Sequence, residues 1–126
     1  MTSAQKKILV VDDEKALVSL VALHMRTAGH DVLIAHDGWA AIDMCKRDKP
    51  DLIILDLMLP KLNGWEVCRR LRGDDATKDV MVVMLSARSD DVDKLRGFSA
   101  GADDYVTKPF SPRELVARVN RILARS

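Results

Sequence analysis

The chain is poor in aromatic residues. Phe, Trp and Tyr make up 4% of its 126 residues, against 48% hydrophobic residues overall, so its core must be aliphatic. Cysteine is scarce too. Cys45 and Cys68 stand alone, with no Cys-x-x-Cys spacing and no His-Cys cluster. That argues against a structural zinc and reads as two free thiols of a cytosolic protein. No apolar stretch approaches the ~20 residues that cross a bilayer. The start, Met1 to Lys7, has no apolar segment ahead of the first strand, so no signal peptide is expected and the cytoplasm is the default. An excess of one charge is also missing. Twenty Lys+Arg oppose nineteen Asp+Glu, a formal net charge of +1, without the basic stripe that direct nucleic-acid binding asks for. The expectation is one domain over residues 1–126, with its core over about residues 7–125.

What is present is a set of short aliphatic runs that end on polar residues. Ile8-Leu9-Val10-Val11 runs into Asp12-Asp13, and Leu52-Ile53-Ile54-Leu55 into Asp56. Val80 to Leu85 runs into Ser86, and Tyr105-Val106-Thr107 into Lys108-Pro109. Continuous Val/Ile/Leu stretches mark strands buried on both faces. Strands are predicted over 7–12, 32–35, 51–56, 80–85 and 104–107. Helical spacing places Leu17, Val21, Met25 and Ala28 on one stripe of a helix over 14–28, stopped by Gly29. A second helix over 38–47 turns Ala41, Ile42 and Cys45 inward and closes at Lys49-Pro50. Further helices are predicted over 65–72 and 91–100. The last starts on a capping box, with Ser111 as N-cap, Pro112 at N1 and Glu114 at N3. Leu115, Val119 and Ile122 are its buried stripe.

Five βα units joined by short loops predict an α/β fold, a doubly wound parallel sheet with helices on both faces. The order 2-1-3-4-5, one of two common solutions, puts the switch point between strands 1 and 3. Ligands of such sheets bind at the carboxyl ends of the strands, where Asp12, Asp13, Asp56, Ser86 and Lys108 fall. Clustered carboxylates repel one another unless a hard cation or an ammonium relieves them. Mg2+ takes oxygen ligands and bridges to phosphate, and a carboxylate beside it can act as a nucleophile toward phosphorus. Asp56 is the candidate, since it ends the most apolar strand. Each piece alone has a plain structural meaning: Asp12-Asp13 as an N-cap, Ser86 as a turn initiator, Lys108-Pro109 as a loop. Their joint placement at one edge carries the functional reading.

These motifs, over residues from Lys7 to Arg125, resemble the receiver domains of bacterial response regulators, with a flavodoxin-like (βα)5 fold. The first acidic motif is Val11-Asp12-Asp13-Glu14. The phosphorylation loop is Leu55-Asp56-Leu57-Met58-Leu59-Pro60 followed by Gly64. Leu85-Ser86-Ala87 and Lys108-Pro109-Phe110 complete the set. Residues 101–110 are similar to the subfamily whose effectors are winged-helix DNA-binding domains. That likeness favours a piece of a longer regulator, with DNA contacted only through an output domain absent from this chain.

The resemblance implies a phosphoacceptor switch and not a turnover enzyme. Asp56 would take a phosphoryl group from a sensor histidine kinase. Asp13, Asp56 and the Met58 backbone carbonyl would ligate Mg2+, or Mn2+ as a substitute, with Asp12 direct or through water. Lys108 would pair with Asp56, and the Lys108-Pro109 bond would be cis. Ser86 and Tyr105 would be the switch pair, with serine standing where threonine is commoner. The face of the fourth predicted helix, fifth strand and last helix would dimerise on phosphorylation through Lys94, Asp103, Asp104, Glu114 and Arg118. Lys94 would meet Glu114, and Asp104 would meet Arg118. Asn120 departs from the usual basic residue and leaves Asp103 without that partner. Met58 offers no side-chain base to activate water, and Arg88 is a cation at the mouth, so no rapid self-dephosphorylation is expected. His24, His30 and His36 have no ligand pattern and read as structural or exposed.

Three other readings remain open at this point. A haloacid-dehalogenase-type hydrolase needs an acid where Met58 stands. A flavin or dinucleotide carrier would want a phosphate loop where Asp12-Asp13-Glu14 would repel it. A pseudo-receiver serving only protein contacts would usually lack part of the acidic set.

Overall fold

Strand residues of this chain are apolar on both sides of the pleat, so two layers of helix are needed to cover them. The computed structural model describes residues 6–87, 96 and 98–125. The elements are β1 (Lys7–Val11), α1 (Lys15–Thr27), β2 (Asp31–Ala35), α2 (Gly38–Asp48), β3 (Leu52–Asp56), α3 (Gly64–Arg72), β4 (Met81–Ser86), β5 (Asp104–Thr107) and a last helix, here α4 (Pro112–Arg125). Each described element lies within a residue or two of its sequence prediction, the usual uncertainty of a helix or strand end. Of the helix expected over 91–100, Arg96, Phe98 and Ser99 are helical. Lys94 and Arg88 lie outside the described residues.

All five strands are parallel and the order is β2-β1-β3-β4-β5. Successive strand residues point to opposite faces, and the core divides accordingly. Leu9, Val11, Ile53, Leu55, Val82, Met84 and Tyr105 pack under α2 and α3. Ile8, Val10, Leu52, Ile54, Val83, Leu85 and Val106 pack under α1 and α4. β3 is central and every residue in it is buried.

The α1 stripe is shifted from its prediction. Val18, Val21, Ala22 and Met25 are buried, whereas Leu17 is only partly covered and Ala28 is exposed. Burying Val18 and Ala22 rotates the helix so that Leu20 and Leu23 reach solvent. In α2 and α4 the expected inward residues are buried, Leu123 joining Leu115, Val119 and Ile122. Caps end the loops that lead away from the strands. Asp37 accepts from the Ala40 amide at 2.9 Å and Asn63 from the Glu66 amide at 3.0 Å. Ser111 Oγ accepts from the Glu114 amide at 3.4 Å. Among the described residues no helix is long and apolar enough to cross a membrane.

Candidate functional site

Register decides which side chains meet. β1 and β3 are paired to Val11 and Leu55, so Asp12 and Asp56 follow side by side at the carboxyl edge. Both are buried, at 2% and 5% exposure. Asp13, the next residue along, is exposed. Carboxylate oxygens of Asp12, Asp13 and Asp56 all lie within 4.8 Å of one another. β3 pairs with β4 so that Asp56 stands opposite Leu85, next to Ser86. β5 follows β4, and the Lys108 amide donates to the Ser86 carbonyl at 2.6 Å. The Lys108 side chain reaches back over the site. Its Nζ is 3.3 Å from Asp12 Oδ2 and 3.4 Å from Asp56 Oδ1. The Lys108–Pro109 peptide bond is cis.

The loop after β3 is held tightly. Met58 donates its amide to Asp56 Oδ1 at 3.4 Å, while its side chain is 61% exposed. Gly64 opens α3 against the back of Asp56. A Cβ at this position would lie 2.7 Å from the Asp56 carbonyl oxygen and 2.9 Å from Leu57 Cα, so only glycine lets the helix start here without moving the Asp56 backbone. Lys61 stands at the turn of the loop with φ +69°, a left-handed value that a side chain makes costly.

The electrostatics follow from burial. Desolvation pushes the Asp56 carboxyl above its ordinary value, the Asp12 carboxylate beside it pushes the same way, and Lys108 pulls back without prevailing. For Lys108, burial acts to lower the ammonium, but Asp56 and Asp12 outweigh it and hold its pKa above the ordinary value. Among the described residues one ammonium thus serves two buried carboxylates, and negative charge is left over. The donor set is oxygen only. A hard divalent cation fits it.

Ser86 is fully buried and Tyr105 is 6% exposed. Tyr105 pairs with Met84 in register, so Ser86, two residues past Met84, lies on the same sheet face one step along.

Two contacts had no signal in the sequence. His36 Nδ1 lies 3.2 Å from the Asp12 carbonyl oxygen. A carbonyl only accepts, so Nδ1 carries the proton and pins the end of β1 to the end of β2. His30 Nε2 lies 2.8 Å from Asn120 Oδ1, which ties the end of α1 to α4.

On the other predicted face, Arg118 reaches both oxygens of Asp104 at 3.1 and 3.2 Å and Glu114 Oε1 at 3.4 Å, all within one chain. Asp103 has a partner of its own. It pairs with Arg72 at 2.9 Å, a residue on the far helix layer that no sequence spacing indicates.

Comparison with known proteins agrees with this architecture. Residues 8–120 match the response regulator receiver domain family. The chain is 51% identical over 121 residues to the alkaline phosphatase synthesis transcriptional regulatory protein PhoP of Bacillus subtilis, covering 96% of this chain and 50% of that protein. It is 48% identical over 120 residues to the DNA-binding dual master transcriptional regulator RpaA of Synechocystis, covering 95% and 50%. The chain therefore spans about half the length of the curated relatives it matches. Among solved structures, the Francisella response regulator 1452 receiver domain superposes with a TM-score of 0.90 at 35% identity, covering 96% of this chain and 98% of that one. The response regulator DrrB of Thermotoga maritima, an OmpR/PhoB homologue, gives a TM-score of 0.86 at 38% identity, covering 97% and 54%. The parallel 2-1-3-4-5 sheet, the acid cluster at its carboxyl edge and the family match over most of its length lead to one conclusion: the chain belongs to the response regulator receiver domain family of two-component signalling.

Proposed function

We propose that this receiver domain is switched by phosphorylation of Asp56. One observation carries the reading: a buried carboxylate at the end of the central strand, flanked by a second buried carboxylate and held by a single ammonium. An Asp56 oxygen attacks the phosphorus of a phosphohistidine on a sensor kinase. The P–N bond breaks, the imidazole leaves with the electron pair, and an acyl phosphate remains. Asp13, Asp56 and the Met58 carbonyl, with Asp12 direct or through water, would hold Mg2+ or Mn2+, which supplies positive charge against the phosphoryl oxygens. Lys108 turns from the carboxylates to a phosphoryl oxygen. Ser86 donates its hydroxyl to another, and Tyr105 moves into the space that the hydroxyl vacates.

Exposure of the apolar Met58 side chain leaves no base beside the acyl phosphate, so the phosphorylated state should outlast seconds. The signal then reaches the face of β5 and α4. Arg118 exchanges its intrachain partners for those of a second copy, and a two-fold dimer forms. Arg118→Glu should weaken that dimer; an unchanged dissociation constant for the phosphorylated form would sink this part. The relatives' names support a transcriptional output, exerted through a DNA-binding domain outside this chain, in the cytoplasm.

The test is incubation with acetyl phosphate and Mg2+ followed by mass spectrometry. A gain of one phosphoryl group, absent in Asp56→Asn, is the expected result. Continuous phosphate release would indicate a hydrolase, and no reaction would indicate a module for protein contacts alone.

A further inference from the structure

At the edge of the sheet opposite Asp56, one side chain joins three segments. Arg72 ends α3. A guanidinium offers five N–H groups in a fixed fork, and all five are engaged. Nε and Nη2 donate to the Gly101 carbonyl at 3.0 and 2.8 Å. Nη1 donates to the carbonyls of Lys78, at 2.9 Å, and Val80. Nη2 also donates to Asp103 Oδ2 at 2.9 Å. The same Asp103 oxygen accepts from the Val82 amide at 2.8 Å, and the Asp103 amide returns a bond to the Val82 carbonyl at 2.8 Å. Asp103 thus extends the β4–β5 ladder by one step before the registered pair Val83 and Asp104, its carboxylate standing in for a strand carbonyl. Gly101 is shaped for this contact. Its φ is +106°, and a Cβ there would lie 2.7 Å from Arg72 Cγ.

We infer that Arg72 and Asp103 form an intrachain clamp at the entry to β5, and that Asp103 is not among the residues that grip a second copy of this chain. The second half of this inference rests on the dimer reading above; the first does not. To serve across an interface, Asp103 would give up a charge-assisted bond to a planar guanidinium and leave the Val82 amide short of its acceptor. An exposed ion pair between subunits returns less than that. Nor does α4 present a replacement at Asn120, whose amide oxygen is taken by His30. The surface offered to a second copy from β5 and α4 is then carried by Asp104, Glu114 and Arg118, with the turn behind them locked to α3.

A double-mutant cycle tests this. Wild type, Arg72→Ala, Asp103→Ala and the double variant are compared for Tm, and for dimer dissociation constant by sedimentation in Mg2+ and beryllofluoride. Each single variant should lower Tm by about 5 °C or more, and the double variant should fall little below the worse single, because the two residues act as one unit. Adding Asp103→Ala to Arg72→Ala should change the dimer constant by less than about twofold, whereas Arg118→Glu should weaken it by about tenfold or more. Additive losses of Tm would overturn the clamp. A further loss of about tenfold in dimer affinity on adding Asp103→Ala to Arg72→Ala would place Asp103 in the interface and overturn the proposal. A wild type that stays monomeric would sink the dimer reading on its own, and the Tm cycle would still decide the clamp.

Discussion

The two edges of the sheet handle charge in opposite ways. At the amino edge, Arg72 spends all five N–H groups on three backbone carbonyls and one carboxylate. At the carboxyl edge, one ammonium is divided between two buried carboxylates at 3.3 and 3.4 Å, and a third carboxylate lies beside them in solvent. The first cluster is closed, with every donor matched. The second is open, with negative charge in excess among the described residues and contacts longer than a charge-assisted bond prefers. A closed cluster can only hold the fold together. An open one is held in place by the strands around it and can take up further positive charge. The parallel sheet makes this division possible, because all its strands end at one edge and the loops there are free to carry chemistry.

The sharpest way to break the comparison is to open the closed edge. Arg72→Ala strips three carbonyls and Asp103 of their donor, and stability in urea should drop by about 3 kcal/mol. A drop below about 0.5 kcal/mol would make the two edges equivalent.

Relieving the open edge should do the reverse. Asp56→Asn removes one of two crowded carboxylates and should raise stability in metal-free buffer at pH 7 by about 1 kcal/mol. The pH dependence has a defined sign. Asp56 titrates above the ordinary 3.8 in the fold, so its favourable contribution is full below that value and is lost as pH rises through the raised one. The gap between variant and wild type should therefore widen from about pH 4 to pH 7, as read by thermal melts at each pH. Lys108 has the same sense at the other end. It is raised above 10.5, so its contribution holds below that pH and fades as pH rises through its own raised value. Saturating Mg2+ should stabilise wild type by preferential binding to the fold and so narrow the Asp56→Asn gap. A gap that ignores both pH and Mg2+ would contradict the open-edge description.

Smaller effects sharpen the contrast. Lys61 holds φ +69° in the loop after Asp56, so Lys61→Gly should stabilise the protein by about 0.5–1 kcal/mol. A loss in the urea titration would show that no strain sits beside the site. Smallest is the reactivity of the thiols under α2 and α3. Burial pushes Cys45 up to about 12 and Cys68 up to about 11. Neither should react with a thiol reagent at pH 8 until the protein unfolds, and prompt labelling would show that this layer opens.

Much of this was legible along the chain. Ile8 to Val11, Leu52 to Leu55 and Met81 to Leu85 lie in strands because continuous aliphatic runs are covered on both faces, and the polar residue ending each run falls at one edge. Asp12, Asp56, Ser86 and Lys108 are readable for that reason alone. The α1 stripe was misjudged by about one residue, because Leu17 and Val18 are equally apolar and the packing of the neighbouring elements chose between them. The contacts of Arg72, Asp103, His36 and Asn120 gave no warning. Their partners lie in distant segments, and no periodicity links a guanidinium at the end of one helix to a carbonyl ahead of the last strand.

By itself the sequence determined the alternation of strands and helices, the aliphatic core and the identity of the acids at the strand ends, because those depend on local pattern and on the direction that all parallel strands share. Only the tertiary structure decided how charge is matched. It set Asp12 beside Asp56 under one ammonium, turned Asp103 inward to Arg72 and paired Arg118 with Asp104 within the chain. Such pairings depend on strand register and on which helix faces which, and both are settled by packing.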